Sequence, residues 1–119
     1  MLSAYSIYHL NLAFSSLEEA ERKMVINKCY WPLLTLAEKG YKLGVELTGY
    51  TLESIMAIDP AWIKKFKSLL LEKKIELIGS GYCQIIAPLV PYKVNEWNQK
   101  LGIESYKKIL DCRPKIALV

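Results

Sequence analysis

Short, β-branched and aromatic-rich runs alternate along this chain with longer stretches of helical periodicity, and that order leaves few folds open. Ala4 to Leu10 (AYSIYHL) reads as a first strand. Ser16 followed by Glu19 has the pattern of a capping box, after which Met24, Val25, Cys29, Leu33 and Leu36 recur at helical spacing until Gly40. Pro32 is expected to kink or restart that helix. Leu43 to Thr48 (LGVELT) is a second strand, and Thr51 is expected to cap a short helix through Ala57. Asp59-Pro60 then places an N-cap before a proline at the first helical position, and Trp62, Ile63, Phe66, Leu69 and Leu70 form an apolar stripe up to Lys74.

Ile75 to Gly79 (IELIG) is a third strand, followed by a loop from Ser80 to Val90. Pro91 opens a helix whose apolar positions are Val94, Trp97, Leu101, Tyr106 and Leu110; Gly102 inside it costs about 1 kcal/mol relative to alanine. Arg113-Pro114 breaks this helix, and Lys115 to Val119 (KIALV) begins a fourth strand. The order βαβαβαβ, with crossovers long enough for right-handed parallel connections, predicts a parallel α/β fold. A closed eightfold barrel takes about 250 residues. With 119 residues, this chain is expected to form a single partial domain, the N-terminal portion of an incomplete barrel.

Composition excludes several alternatives. Apolar residues make up 52% of the chain, which favours a buried core over disorder. No apolar run approaches the ~18–20 residues of a membrane span. The stretch Met1 to Phe14 lacks the basic start of a signal peptide, so a cytoplasmic protein is expected. A net charge of +4 is weak support for nucleic acid, and Lys64, Lys65, Lys67, Lys73 and Lys74 suit a solvated helix face. Cys29, Cys83 and Cys112 stand far apart beside a single histidine, which speaks against a zinc cluster and for reduced, mostly buried thiols. No phosphate loop and no nucleophile elbow is present, and no cofactor or metal is expected.

Parallel α/β folds bind ligands at the carboxyl ends of their strands. The polar residues there are His9 and Asn11 after the first strand, Glu46 and Thr48 on the second, and Ser80, Tyr82 and Gln84 after the third. Spacing by two puts each pair on one face of an extended segment. His9 is equally readable as a core histidine bonded to a backbone carbonyl. Glu46 is harder to read as structural, because a carboxylate between Val45 and Leu47 is costly to desolvate without a partner or a wet pocket. Glu53 reads better as an acid near a helix start than as a site residue, and Gln84 as readily as a solvated loop residue.

These strand ends resemble glycoside hydrolase family 57, mostly retaining enzymes acting on α-glucans. The resemblance rests on Tyr8-His9-Leu10-Asn11, on Glu46-Leu47-Thr48-Gly49-Tyr50-Thr51-Leu52-Glu53, and on Gly79-Ser80-Gly81-Tyr82-Cys83-Gln84 with Ile86-Ala87-Pro88-Leu89-Val90-Pro91. It implies a (β/α)7 barrel of which this chain is the N-terminal part. Where the family usually reads His-Gln-Pro, this chain has Asn11-Leu12-Ala13, and family members often carry His or Glu in place of Gln84. The family's nucleophilic glutamate follows the fourth strand and its acid/base aspartate the seventh, so the resemblance leaves both outside this sequence. Retaining hydrolysis needs two carboxyl groups about 5–5.5 Å apart. By resemblance, then, the chain carries sugar-contacting residues, His9, Asn11, Glu46, Thr48, Tyr82 and Gln84, and no catalytic residue. Its expected partner is an α-glucan or oligosaccharide, with self-association through open sheet edges. Two other readings stand beside this one: a non-catalytic interaction module completed by another chain, and a segment of a related polysaccharide deacetylase barrel, whose paired histidines His9 alone cannot supply.

Overall fold

The computed structural model describes residues 1–118. Four parallel strands, β1 (Ser6–Leu10), β2 (Leu43–Leu47), β3 (Glu76–Gly79) and β4 (Ile116–Ala117), lie in the order β1-β2-β3-β4. Between β1 and β2 run α1 (Arg22–Val25), a π-helical turn (Ile26–Tyr30) and α2 (Trp31–Glu38). Helices α3 (Gly49–Ile58) and α4 (Pro60–Leu71) connect β2 to β3, and α5 (Tyr92–Leu110) leads to β4. All four expected strands are present; the end of the fourth, Val119, lies outside the described residues.

Local chemistry accounts for the boundaries. Asp59 caps α4 by accepting from the Trp62 amide at 3.2 Å, as its place before Pro60 predicts. Its other carboxylate oxygen accepts from the Trp31 indole at 2.7 Å, tying α2 to α4. Thr48, not Thr51, caps α3, its hydroxyl accepting from the Thr51 amide at 3.1 Å. The capping box near the first helix is formed by Glu18 and Glu21, not by Ser16 and Glu19. Pro32 has no N–H to return to the preceding turn, and the helix restarts around it: the π-helical turn ends at Tyr30 and α2 begins at Trp31 with Pro32 in its first turn.

The core lies between the sheet and its helices. Leu10, Leu43, Val45, Leu47 and Leu77 pack with Leu34, Leu52, Ile55, Trp62, Phe66 and Leu110 in one buried cluster. Side chains alternate along a strand, so His9, Glu46 and Ile78, which are register partners, belong to the opposite face. Ile7 and Ile116 on that face are about half exposed. The apolar stripe expected on α5 is also turned outward: Val94, Trp97 and Leu101 are exposed, while Asn98, Gly102 and Ser105 face inward with Tyr106 and Leu110. Small residues let α5 approach the loop after β3 more closely than a leucine face would. The thiols differ from expectation as well, since Cys29 and Cys83 are exposed and Cys112 is half-buried.

Two outcomes follow from this architecture. Strands β1 and β4 each leave one edge unpaired beside exposed apolar side chains, so the purified chain is expected to associate. Sedimentation velocity across a concentration series tests this, and a monomer at every concentration would contradict it. The second concerns alkali. Burial beside Trp62 pushes the Tyr30 phenol up to about 12, against the lowering effect of a hydrogen bond with the Asn11 backbone. Burial likewise raises Tyr106. A phenol whose folded pKa is raised contributes its full stability below pH ~10 and loses it as pH rises through the folded value. Melting temperature should therefore fall between pH ~10 and ~12, and Tyr30→Phe should flatten that fall.

Candidate functional site

The carboxyl ends of β1, β2 and β3 surround a cavity of about 330 Å³ lined by Asn11, Ala13, Phe14, Ser15, Thr48, Tyr50, Cys83 and Gln84. A larger one, about 510 Å³, opens at the opposite end of the sheet. It is rimmed by Lys42, Lys73, Lys74, Arg113 and Lys115, with Glu76 as its one acid. Strand amino ends carry stability in such folds, and the chemistry belongs at the other end, so the smaller cavity is the candidate site.

Each wall is built by a separate device. Asn11 leaves β1 in an Asx turn, its Oδ1 accepting from the Ala13 amide at 3.0 Å, and its Nδ2 donates to Gln84 Oε1 at 2.9 Å. The Leu12 amide donates to Thr51 Oγ1 at 3.2 Å, which fastens this turn to the start of α3. The loop after β3 is held by Asn98 of α5. Its side chain accepts from the Cys83 amide at 2.7 Å and donates to the Cys83 carbonyl at 3.0 Å, while its carbonyl accepts from the Tyr82 amide. Gly81 adopts φ +85°, a conformation that favours glycine, and presents its carbonyl to the Gly49 amide at 2.9 Å.

Glu46 is buried, 1% exposed, and its Oε2 is hydrogen-bonded to His9 Nδ1. The two are direct register partners, so the sheet itself sets the pair. His9 is not the core histidine bonded to a carbonyl: its side chain is 42% exposed. It therefore lies between the carboxylate and solvent.

Of the residues singled out in the sequence, Asn11, Thr48 and Gln84 line the cavity, and His9 and Glu46 pair at the ends of the same strands. Tyr82 is placed differently. Its hydroxyl donates to Glu53 Oε2 at 2.8 Å, and its ring stands edge-on to Tyr50, 6.5 Å between centroids. The Glu53 carboxylate raises the Tyr82 phenol's pKa. Glu53 also accepts from Ser105 Oγ at 2.8 Å, so it cross-links α3, α5 and the loop, a role beyond that of a helix-start acid. Ser80 sits behind the site, its amide donating to the Tyr106 hydroxyl at 3.1 Å. Asn98 and Tyr50 were not singled out in the sequence. A polar residue on the inward face of a helix was the available signal for Asn98, but only once that face is known.

The fold is a parallel α/β segment, part of a barrel, whose strand ends hold a cavity lined by the amides of Asn11 and Gln84, the hydroxyls of Ser15, Thr48 and Tyr50, and the apolar side chains of Ala13 and Phe14. The profile of glycosyl hydrolase family 57 matches residues 5–118, and the chain belongs to that family. An α-amylase of Pyrococcus furiosus is 23% identical over 88 residues, covering 66% of this chain and 14% of that enzyme. The 4-alpha-glucanotransferase of Thermococcus litoralis superposes with a TM-score of 0.76 at 19% identity, over 94% of this chain and 18% of that one. The α-amylase AmyC of Thermotoga maritima gives 0.71 at 14% identity, over 95% and 34%. The chain thus spans about a third or less of each of these relatives. Among the described residues, no helix is long and apolar enough to cross a membrane, and no cluster of three metal-ligating side chains occurs.

Proposed function

We propose that this chain forms the substrate-positioning portion of an enzyme acting on α-glucans, contacting sugar through Asn11, Thr48 and Gln84, with His9 and Glu46 at the flank. The reading is supported above all by the Asn11–Gln84 pair. Asn11 is held by the Ala13 amide and by Gln84, and an amide has donor and acceptor capacity beyond one bond on each atom, so this pair in the cavity wall has the mixed set that vicinal hydroxyls need. Tyr82 acts from behind, fixing Tyr50 and the loop through Glu53. Similarity to a named amylase and a glucanotransferase favours α-glucans as the substrate class.

These residues orient a ligand and supply no covalent step. Among the described residues, Glu46 is the one carboxylate at the strand ends on the open face, and it is hydrogen-bonded to His9. Titrating maltotriose into isotope-labelled protein should shift the side-chain amide resonances of Asn11 and Gln84, and Gln84→Ala should weaken binding about tenfold. Unshifted resonances at millimolar sugar would reject the reading. We also expect no turnover of soluble starch or an aryl glucoside by the pure chain. Turnover abolished by Glu46→Gln would instead make Glu46 catalytic.

A further inference from the structure

We propose that the sugar-binding cavity is adapted to a glucosyl oligomer bearing an anionic group, a uronate or a phosphate ester, through Tyr50 polarised by Arg22. This deepens the function proposed above and rests on it. Arg22, at the start of α1, directs both terminal guanidinium nitrogens at the Tyr50 hydroxyl oxygen, each at 3.3 Å, and its carbon lies 5.7 Å from the centre of the Tyr50 ring. No carboxylate lies within ion-pair distance of Arg22 among the described residues, and its Nε is buried without a hydrogen-bond partner. Of the carboxylates nearest in sequence, Glu21 accepts from the Glu18 amide at 3.0 Å, and neither Glu18 nor Glu19 forms an ion pair with Arg22 among the described residues.

The consequence lies in the phenol. Two N–H donors occupy its oxygen, so its own proton is left to be given away, and no protein acceptor takes it among the described residues. Tyr50 lines the cavity, whose other walls, Asn11, Ala13, Phe14, Ser15, Thr48, Cys83 and Gln84, carry no carboxylate that would repel an anion. A partly buried cation without a counter-charge, backing a free hydroxyl donor in an acid-free cavity, favours an anionic acceptor over a neutral one.

The test uses the full chain at fixed ionic strength and compares maltotriose, maltotriose 6-phosphate, maltotriose oxidised at C6 to the uronate, and inorganic phosphate by calorimetry. At least one charged sugar should bind about tenfold more tightly than maltotriose, and the two charged arms tell uronate from phosphate. Arg22→Gln should reduce the charged sugars to the neutral affinity while changing maltotriose binding less than about twofold, and Tyr50→Phe, which removes a hydroxyl from the cavity wall, should weaken the charged sugars more than it weakens maltotriose. Arg22→Lys, which keeps the charge but not the fork, should retain part of the preference and serves if Arg22→Gln misfolds. Equal affinities for charged and neutral sugars, or a preference that survives Arg22→Gln, would overturn this inference and leave the α-glucan reading standing. Inorganic phosphate binding as tightly as the phosphorylated sugar would also overturn it. Binding of no sugar at all would overturn both.

Discussion

Replacing Gly102 by alanine should destabilise the protein by about 2 kcal/mol, although the same exchange in an exposed helix gains about 1 kcal/mol. A Cβ at this position would lie 2.5 Å from the Gly81 carbonyl carbon, 2.7 Å from its Cα and 2.8 Å from the Tyr82 nitrogen. These are backbone atoms, held in turn by the Gly49 and Tyr50 amides, which donate to the Gly81 and Tyr82 carbonyls at 2.9 Å each. The clash cannot be relieved by one side chain swinging aside; α5 or the loop must shift. For a chain of this size the melting temperature should drop by roughly 5–10 °C. Because Cys83 and Gln84 follow directly, the proposed sugar binding should weaken too. A melting curve settles the point, and an unchanged or higher transition would show that the contact yields freely.

Tyr106→Phe should cost a further comparable amount, about 2 kcal/mol, for a different reason. The Tyr106 hydroxyl is buried, donates to the Leu47 carbonyl at 2.5 Å, and accepts from the Ser80 amide at 3.1 Å. It thus bridges the carboxyl ends of β2 and β3 beneath the cavity. Removing the oxygen takes this partner from a buried carbonyl and a partly buried amide, and each such loss costs on the order of 1 kcal/mol. Ser80 Oγ is already without a partner close by, so little local polarity remains to compensate. Denaturant unfolding with an unchanged slope and an earlier midpoint is the expected result. A midpoint equal to that of the parent would mean that water replaces the hydroxyl.

These two positions also show what could be read in advance. Strand order, parallel pairing and the start of α4 were legible, because alternation, crossover length and the Asp59-Pro60 cap are local signals. Spacing by two placed polar residues at these strand ends, but that His9 and Glu46 are direct partners depends on the sheet register, which only the fold provides. The face of α5 was not legible either. Val94, Trp97 and Leu101 form the stronger apolar stripe, yet the helix turns its small face, Gly102 and Ser105, to the core because loop backbone lies there. Gly102 reads as a cost until that neighbour is known. Glu53 and Asn98 were illegible for a related reason: their partners, Tyr82 with Ser105 and Cys83, are distant in sequence and meet only after the loop has folded over α3.

The cations around the larger cavity give the molecule two electrically unlike ends. Helices α2, α4 and α5 finish at the amino side of the sheet, and Lys42, Lys73, Lys74, Arg113 and Lys115 gather there. Lysine and arginine near helix C-termini complement the backbone dipole, so this clustering has a structural origin. The cavity at the strand carboxyl ends has no charged side chain in its walls. Laid on a negatively charged support, such as a sulfonated resin, the protein would settle base first and leave the cavity at its strand carboxyl ends facing the solution.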